Sequence, residues 1–158
     1  MTTDLTVLGH LVSLDGGGMK HIFPVQVYWE DTDAGGIVYY ANYLKFIERA
    51  RTDLLRALCI NQQQMMVEEE LNFVVRDCHI EYLAPAKMDD VLEVHTTLCD
   101  LKGASMRMQQ TVLRNGEILN KSMVRVACLK KNGTPARFSP QIKDKFAPLM
   151  DVSGAKKK

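Results

Sequence analysis

An α+β fold, one long amphipathic helix set against a curved antiparallel sheet, is what this sequence predicts, and three observations carry it. Apolar residues recur at three- and four-residue spacing through Tyr43, Ile47, Ala50, Leu54 and Leu58, the period of a helix with one buried face. From residue 72 onward the period falls to two and the composition shifts to Val, Thr, Leu and Met, as half-buried strands require. Two Asn-Gly pairs, Asn115-Gly116 and Asn132-Gly133, punctuate that second half, and Asn-Gly supplies the backbone angles of tight hairpins. The expected order is β-α-β-β-β-β.

Taken in order, residues 1–20 read as a flexible N-terminal extension ending in Asp15-Gly16-Gly17-Gly18. Its apolar residues suit either an amphipathic helical turn or an added strand, and periodicity does not choose. Ile22 to Trp29 reads as a strand with Pro24 near its start, where a missing N–H is tolerated. Asn42 suits the N-cap of the long helix, which ends near Cys59; Lys45, Glu48, Arg49, Thr52, Asp53 and Arg56 fall on its polar side. Gln62 to Glu70 reads as a shorter helical segment or turn. Strands follow over 72–83, 91–101, 104–114 and 118–131. The main domain is expected over 21–148, with a disordered C-terminal tail over 149–158.

With 158 residues the chain is sized for one domain. A formal net charge of +1 gives no global field for nucleic acid, and the Lys156 to Lys158 run reads as a solvated terminus. Cys59, Cys78, Cys99 and Cys128 include no CxxC pair, which suits buried, reduced thiols and a cytoplasmic location. The first residues lack the pattern of a secretory signal, and no run approaches the ~20 apolar residues of a membrane span. One long helix covers one face of a sheet only, so oligomerisation through the sheet is expected.

The chemistry concentrates in Tyr28 to Arg51. Glu30, Asp31 and Asp33 precede Gly35-Gly36, but a calcium loop would need an oxygen donor where Gly35 stands and Glu where Asn42 stands, so no metal or cofactor is expected. Glu30 and Asp31 read as loop-holding carboxylates. Asp33 stands before a glycine turn that lets backbone approach a ligand, and Tyr40 to Asn42 lead into a helix whose first amides are unsatisfied and positively polarised. A carbonyl placed there would be activated, with a carboxylate facing it. His79 and His95 are weaker candidates on strands, and Glu48 one turn into the helix either lines the cleft or pairs with Arg49 or Arg51.

The string Asp33-Ala34-Gly35-Gly36-Ile37-Val38-Tyr39-Tyr40-Ala41-Asn42-Tyr43 resembles the signature of hotdog-fold acyl-CoA thioesterases of the 4-hydroxybenzoyl-CoA thioesterase family. The longer EDTDAGGIVYYANYLKFIERARTDLLR is similar to the Tol-Pal-associated, YbgC-like branch, and the match runs from about Phe23 to Ala147. The resemblance implies a hotdog fold, hydrolysis of an acyl-CoA thioester to free acid and CoA, Asp33 as nucleophile or general base, and the backbone N–H of Tyr40 as the donor to the thioester carbonyl. The branch commonly carries His where this chain has Tyr40, so the role carried over is that of the main chain. Arg76, Lys87, Lys102, Arg107 and Arg125 are available for the CoA nucleotide. Homodimers or homotetramers with sites at the interface are implied, as are acyl carrier protein or Tol-Pal association. A hotdog hydratase or dehydratase and a non-hydrolytic acyl-thioester binding module are the alternatives; Asp33 before the glycine turn favours hydrolysis.

Overall fold

Strands form where the period-two segments fall, but they do not pair in chain order. In the computed structural model, which describes residues 6–151, six strands make one sheet: β1 (His10–Ser13), β2 (Met19–Gln26), β3 (Leu71–Tyr82), β4 (Val91–Leu101), β5 (Ser105–Arg114) and β6 (Glu117–Lys130). All pairings are antiparallel and the spatial order is β1-β2-β4-β5-β6-β3. β3 therefore lies at the far edge against β6, and the chain crosses from that edge to the middle of the sheet before β4. Register shifts that leave an extra residue in β3, β4 and β6 bend the strands around a single long helix.

That helix, α1 (Tyr43–Ala57), buries Phe46, Ile47, Ala50 and Leu54 against Leu92, Val94, Leu98, Met106, Met108 and Val112 of the sheet. It stops where sequence periodicity places its end, through an unusual residue. Cys59 takes a left-handed φ of 59°, its N–H reaches Arg56 O at 3.0 Å and Ile60 N–H reaches Leu55 O at 2.8 Å, the paired bonds that close a helix whose next residue is usually Gly. α2 (Gln62–Glu68) follows, capped by the Asn61 side chain. α3 (Pro140–Phe146) was not signalled by the apolar spacing; Ser139 followed by Pro140 marks its start, with Ser139 Oγ accepting from Ile142 N.

Four expectations change. The strand foreseen from Ile22 to Trp29 runs earlier, because Tyr28 and Asp31 exchange capping hydrogen bonds that turn Trp29–Asp31 into a 3-10 segment. Pro24 stands beyond the β1 pairing, which ends at Ile22, so its missing N–H falls on an open edge. Cys59, Cys78 and Cys99 are exposed and free, and only Cys128 is buried; Cys59 sits at a helix end, Cys78 on the edge strand and Cys99 at a bulge. The extension resolves in favour of a strand from residue 10, and Gly16, Gly17 and Gly18, all at positive φ, form the turn into β2. Residues 1–5, and the expected tail from 152, lie outside the described residues, whereas Leu149 is buried.

The fourth change concerns Asp53, placed on the polar side by periodicity but buried. Its carboxylate accepts from Leu8 N at 2.7 Å, Gly9 N at 2.9 Å and His21 Nε2 at 2.8 Å, tying the N-terminal segment and β2 to α1. A Cβ at Gly9 would collide with Ile22 O, Asp53 and His21. His21 is fully buried, with no partner for Nδ1, so it is neutral with its proton on Nε2. Burial pushes its pKa below the ordinary value, and Asp53 opposes this only in part. The unfolded chain takes up a proton as pH falls below about 6.5 while the folded chain resists it, so stability present at neutral pH is lost toward pH 5. Urea unfolding at pH 7.5, 6.5 and 5.5 is expected to show this loss, by at most about 1.4 kcal/mol per pH unit for one such group, and His21→Gln should flatten it.

Candidate active site

Asp31 to Tyr39 close as a tight hairpin. Tyr39 N donates to Asp31 O at 2.9 Å, Thr32 bridges Val38, and Asp33 N donates to Ile37 O at 2.9 Å. Gly36 at the tip has a φ of 79°, a conformation costly for any side chain. Asp33 Oδ1 accepts from Gly35 N at 2.8 Å, an Asx turn that fixes the carboxylate. Its Oδ2 has no protein partner among the described residues. One oxygen orients the group while the other faces solvent.

The two other carboxylates separate cleanly. Asp31 is buried, with Oδ2 accepting from Tyr28 N at 2.8 Å and Oδ1 from Asn42 Nδ2 at 2.7 Å. It holds the hairpin to the helix start, and this explains why Asn42, at the N-cap position, makes no capping bond with its side chain. Glu30 is exposed. Among the described residues no group of three His, Cys, Asp or Glu side chains is arranged to hold a metal ion.

Tyr40 opens a 3-10 turn, Tyr40–Asn42, that runs directly into α1. Its N–H serves none of the loop and cap hydrogen bonds, as expected for a first-turn amide at the positive end of a helix. Tyr82 OH donates to Tyr40 O at 2.7 Å, and the two rings meet edge to face with centroids 6.3 Å apart. Tyr82→Phe removes this anchor and is expected to lower kcat several-fold while costing about 1 kcal/mol of stability or less, read by steady-state kinetics and thermal melting.

The crossover from β3 to β4 pins the assembly. Val38 N donates to Ala86 O at 2.8 Å, Ala86 N donates to Tyr43 Oη at 3.0 Å, and Ile37 bridges Lys87. Asp90 accepts from Arg114 Nη1 at 2.7 Å and from Lys87 N at 2.8 Å; desolvation is the largest single effect and raises its pKa, but the hydrogen bonds and positive charges of Lys87 and Arg114 together outweigh it and lower the pKa. Asp33 and Tyr40 thus stand on the two arms of one braced hairpin, Asp33 near the tip and Tyr40 just past the base.

The remaining candidates scatter. His79 is exposed on β3, and His95 on β4 contacts Lys20 and Glu93 instead; burial, reinforced by Lys20, lowers the His95 pKa. Glu48 is exposed and forms no ion pair with Arg49 or Arg51. It borders a cavity of about 420 Å³ between α1, α2, β3 and β5. Of the five basic residues, Lys87 lies beside the hairpin tip, Lys102 pairs with Asp100 and Arg125 with Asp77, and Arg107 faces Arg125 across β5 and β6. Arg76 marks the bulge of β3. Sequence reading missed Tyr82 and the buried Gln110; the signal for Gln110 was an amide in an otherwise apolar row of β5.

An antiparallel sheet wrapped on one helix, with an acid-bearing hairpin feeding that helix, is the architecture of the hotdog-fold thioesterases. The family model of the thioesterase-like superfamily matches residues 27–146, and the chain belongs to that family. It is 46% identical over 128 residues to the acyl-CoA thioesterase YbgC of Haemophilus influenzae, covering 80% of this chain and 94% of that protein. It is 42% identical over 120 residues to the acyl-CoA thioester hydrolase YbgC of Escherichia coli O6:H1, covering 75% and 86%. Among solved structures, a probable thioesterase from Bartonella henselae superposes with a TM-score of 0.73 at 37% identity, covering 76% of this chain and 99% of that one. A 1,4-dihydroxy-2-naphthoyl-CoA thioesterase from Synechocystis shares the fold at 19% identity, with a TM-score of 0.77 over 82% of this chain and 97% of that one. Among the described residues no helix is long and apolar enough to cross a membrane.

Proposed function

We propose that Asp33 and the Tyr40 backbone N–H form the reaction centre of this chain, an acyl-CoA thioesterase that hydrolyses an acyl-CoA thioester to free carboxylic acid and CoA. The observation that carries the assignment is the Asp33 carboxylate, oriented through one oxygen by Gly35 N and open at the other, on the hairpin that leads into the helix start at Tyr40. The first-turn amide stabilises the oxyanion that develops as the carbonyl carbon becomes tetrahedral. Asp33 either attacks that carbon, giving a mixed anhydride that water cleaves, or takes a proton from the attacking water. In both cases the C–S bond breaks and the thiolate of CoA leaves and is protonated; the acyl carbon gains its oxygen from the attacking water, or from Asp33 where water cleaves the anhydride at the Asp33 carbonyl and restores that carboxylate.

The assembly we propose is a dimer through β3, paired further into a tetramer, in the cytoplasm. β3 is a twelve-residue edge strand with Val75 and Tyr82 about half exposed, and an open edge of that length favours pairing with a second copy. Lys87, beside the hairpin tip, is the basic residue we assign to a CoA phosphate. Acyl carrier protein or Tol-Pal association rests on the branch resemblance. Asp33→Ala in a thiol-release assay over several acyl-CoAs tests the assignment: loss of hydrolysis with retained acyl-CoA binding supports it, and a fully active variant overturns it.

A further inference from the structure

The cavity between α1, α2 and the sheet has an apolar wall, a polar wall and a single cation. Leu55, Phe73, Met106, Met108, Val126 and Phe146 make the apolar wall, Glu48, Gln62, Gln63 and Asn72 lie on the polar one, and Arg51 is the only basic residue lining it. Arg51 Nη1 donates to Gln110 Oε1 at 2.8 Å. Gln110 is fully buried, and its Nε2 donates to Ile47 O at 2.9 Å and Thr96 Oγ1 at 3.1 Å. The amide is therefore held in one orientation, with its carbonyl turned to the guanidinium. A guanidinium has five N–H donors, and Gln110 brings no charge.

Among the described residues no carboxylate forms an ion pair with Arg51. Burial lowers the Arg51 pKa from its ordinary value, and Glu48, exposed at the mouth, offsets this only in part. The inner face of the sheet changes character at this point. Met106, Met108 and Val126 lie on the cavity side, while Ser122, in register with Gln110, and Asn120 are buried with no partner for their side-chain polar atoms. Desolvating a cation is costly unless an anion pairs with it, and a planar fork fixed by a neutral network suits a carboxylate.

We propose that this cavity binds a carboxylate with an apolar tail, the carboxylate paired with Arg51 and the tail packed on Phe73, Met106, Met108 and Phe146. Two sources present that chemistry: a terminal carboxylate on the acyl group of the substrate, or the free acid that hydrolysis releases. The choice between them rests on the thioesterase reading, whereas the site itself does not.

Octanoate and octanol share a tail and differ in the charge. Titration calorimetry on the full chain is expected to give octanoate at least tenfold tighter binding than octanol. Arg51→Met should abolish that difference and leave octanol unchanged; Arg51→Lys keeps the charge without the fork and should weaken octanoate several-fold. Equal binding of the two probes by the unmodified chain, no binding of either, or an octanoate advantage that survives Arg51→Met overturns the proposal. Comparing kcat/KM for suberyl-CoA and octanoyl-CoA then separates the sources. Arg51→Met lowers the suberyl value selectively where the ligand is a terminal carboxylate; it affects both alike and weakens inhibition by octanoate where the ligand is the released acid.

Discussion

Asp33→Asn is expected to lower kcat by about 10³-fold, within the range that removal of a positioned acid or base produces, with a much smaller change in KM. Asn is the informative replacement because its carbonyl can keep the hydrogen bond from Gly35 N that holds the turn. What it removes is the negative charge and the free carboxylate oxygen. A loss confined to kcat marks an interaction made in the transition state, whereas a rise in KM alone would mark substrate binding. Activity within fivefold of the unmodified chain, with normal melting, would remove Asp33 from the chemistry. Two single-turnover readouts separate the two roles. In H₂¹⁸O, a mixed anhydride cleaved at the Asp33 carbonyl leaves label on the peptide containing Asp33, whereas one cleaved at the acyl carbonyl leaves none but is trapped by hydroxylamine; a general base gives neither label nor a trapped acyl group.

Asp53→Ala is expected to cost about 3 kcal/mol, because it leaves three donors without their acceptor. A buried group left unsatisfied costs about 1–3 kcal/mol. His21 takes the larger share because it is wholly buried and already lacks a partner at Nδ1; the Leu8 and Gly9 amides are only partly buried and can regain water. For a chain of this size the loss corresponds to a fall in Tm of roughly 6–12 °C. Removing residues 1–14 should be less than additive with Asp53→Ala, since both break the same attachment. A loss below about 0.5 kcal/mol would mean that the carboxylate is not what secures β1 to α1.

The resemblance and the local pattern together placed the candidate site between Asp33 and Tyr40. Asp33, the glycine turn and the helix start are local features, and each has a signature within a few residues. The bracing was not legible, because Asp31 with Asn42, Tyr82 with Tyr40, and Ala86 with Tyr43 join positions between 11 and 43 residues apart. Arg51 illustrates the same limit. The sequence offers it only as a pairing partner for Glu48, and nothing in the spacing indicates that its guanidinium turns inward to a glutamine 59 residues away.

Periodicity and turn chemistry alone determined most of the elements: the long helix and four of the strands to within a residue or two, with the segment after the helix left as a helical segment or a turn. These follow from the 3.6 and 2.0 residue repeats and from glycine and asparagine at positive φ, which act over one turn of chain. Only the tertiary structure decided the strand order, with β3 carried to the far edge, and the fate of the polar side chains. Asp53 is buried because the N-terminal segment returns to offer it two amides and a histidine. Arg51 is half-buried beside a cavity because a glutamine on β5 holds it there. Apolar burial has a period and can be read from one segment; the partner that makes a buried charge tolerable is supplied by distant chain.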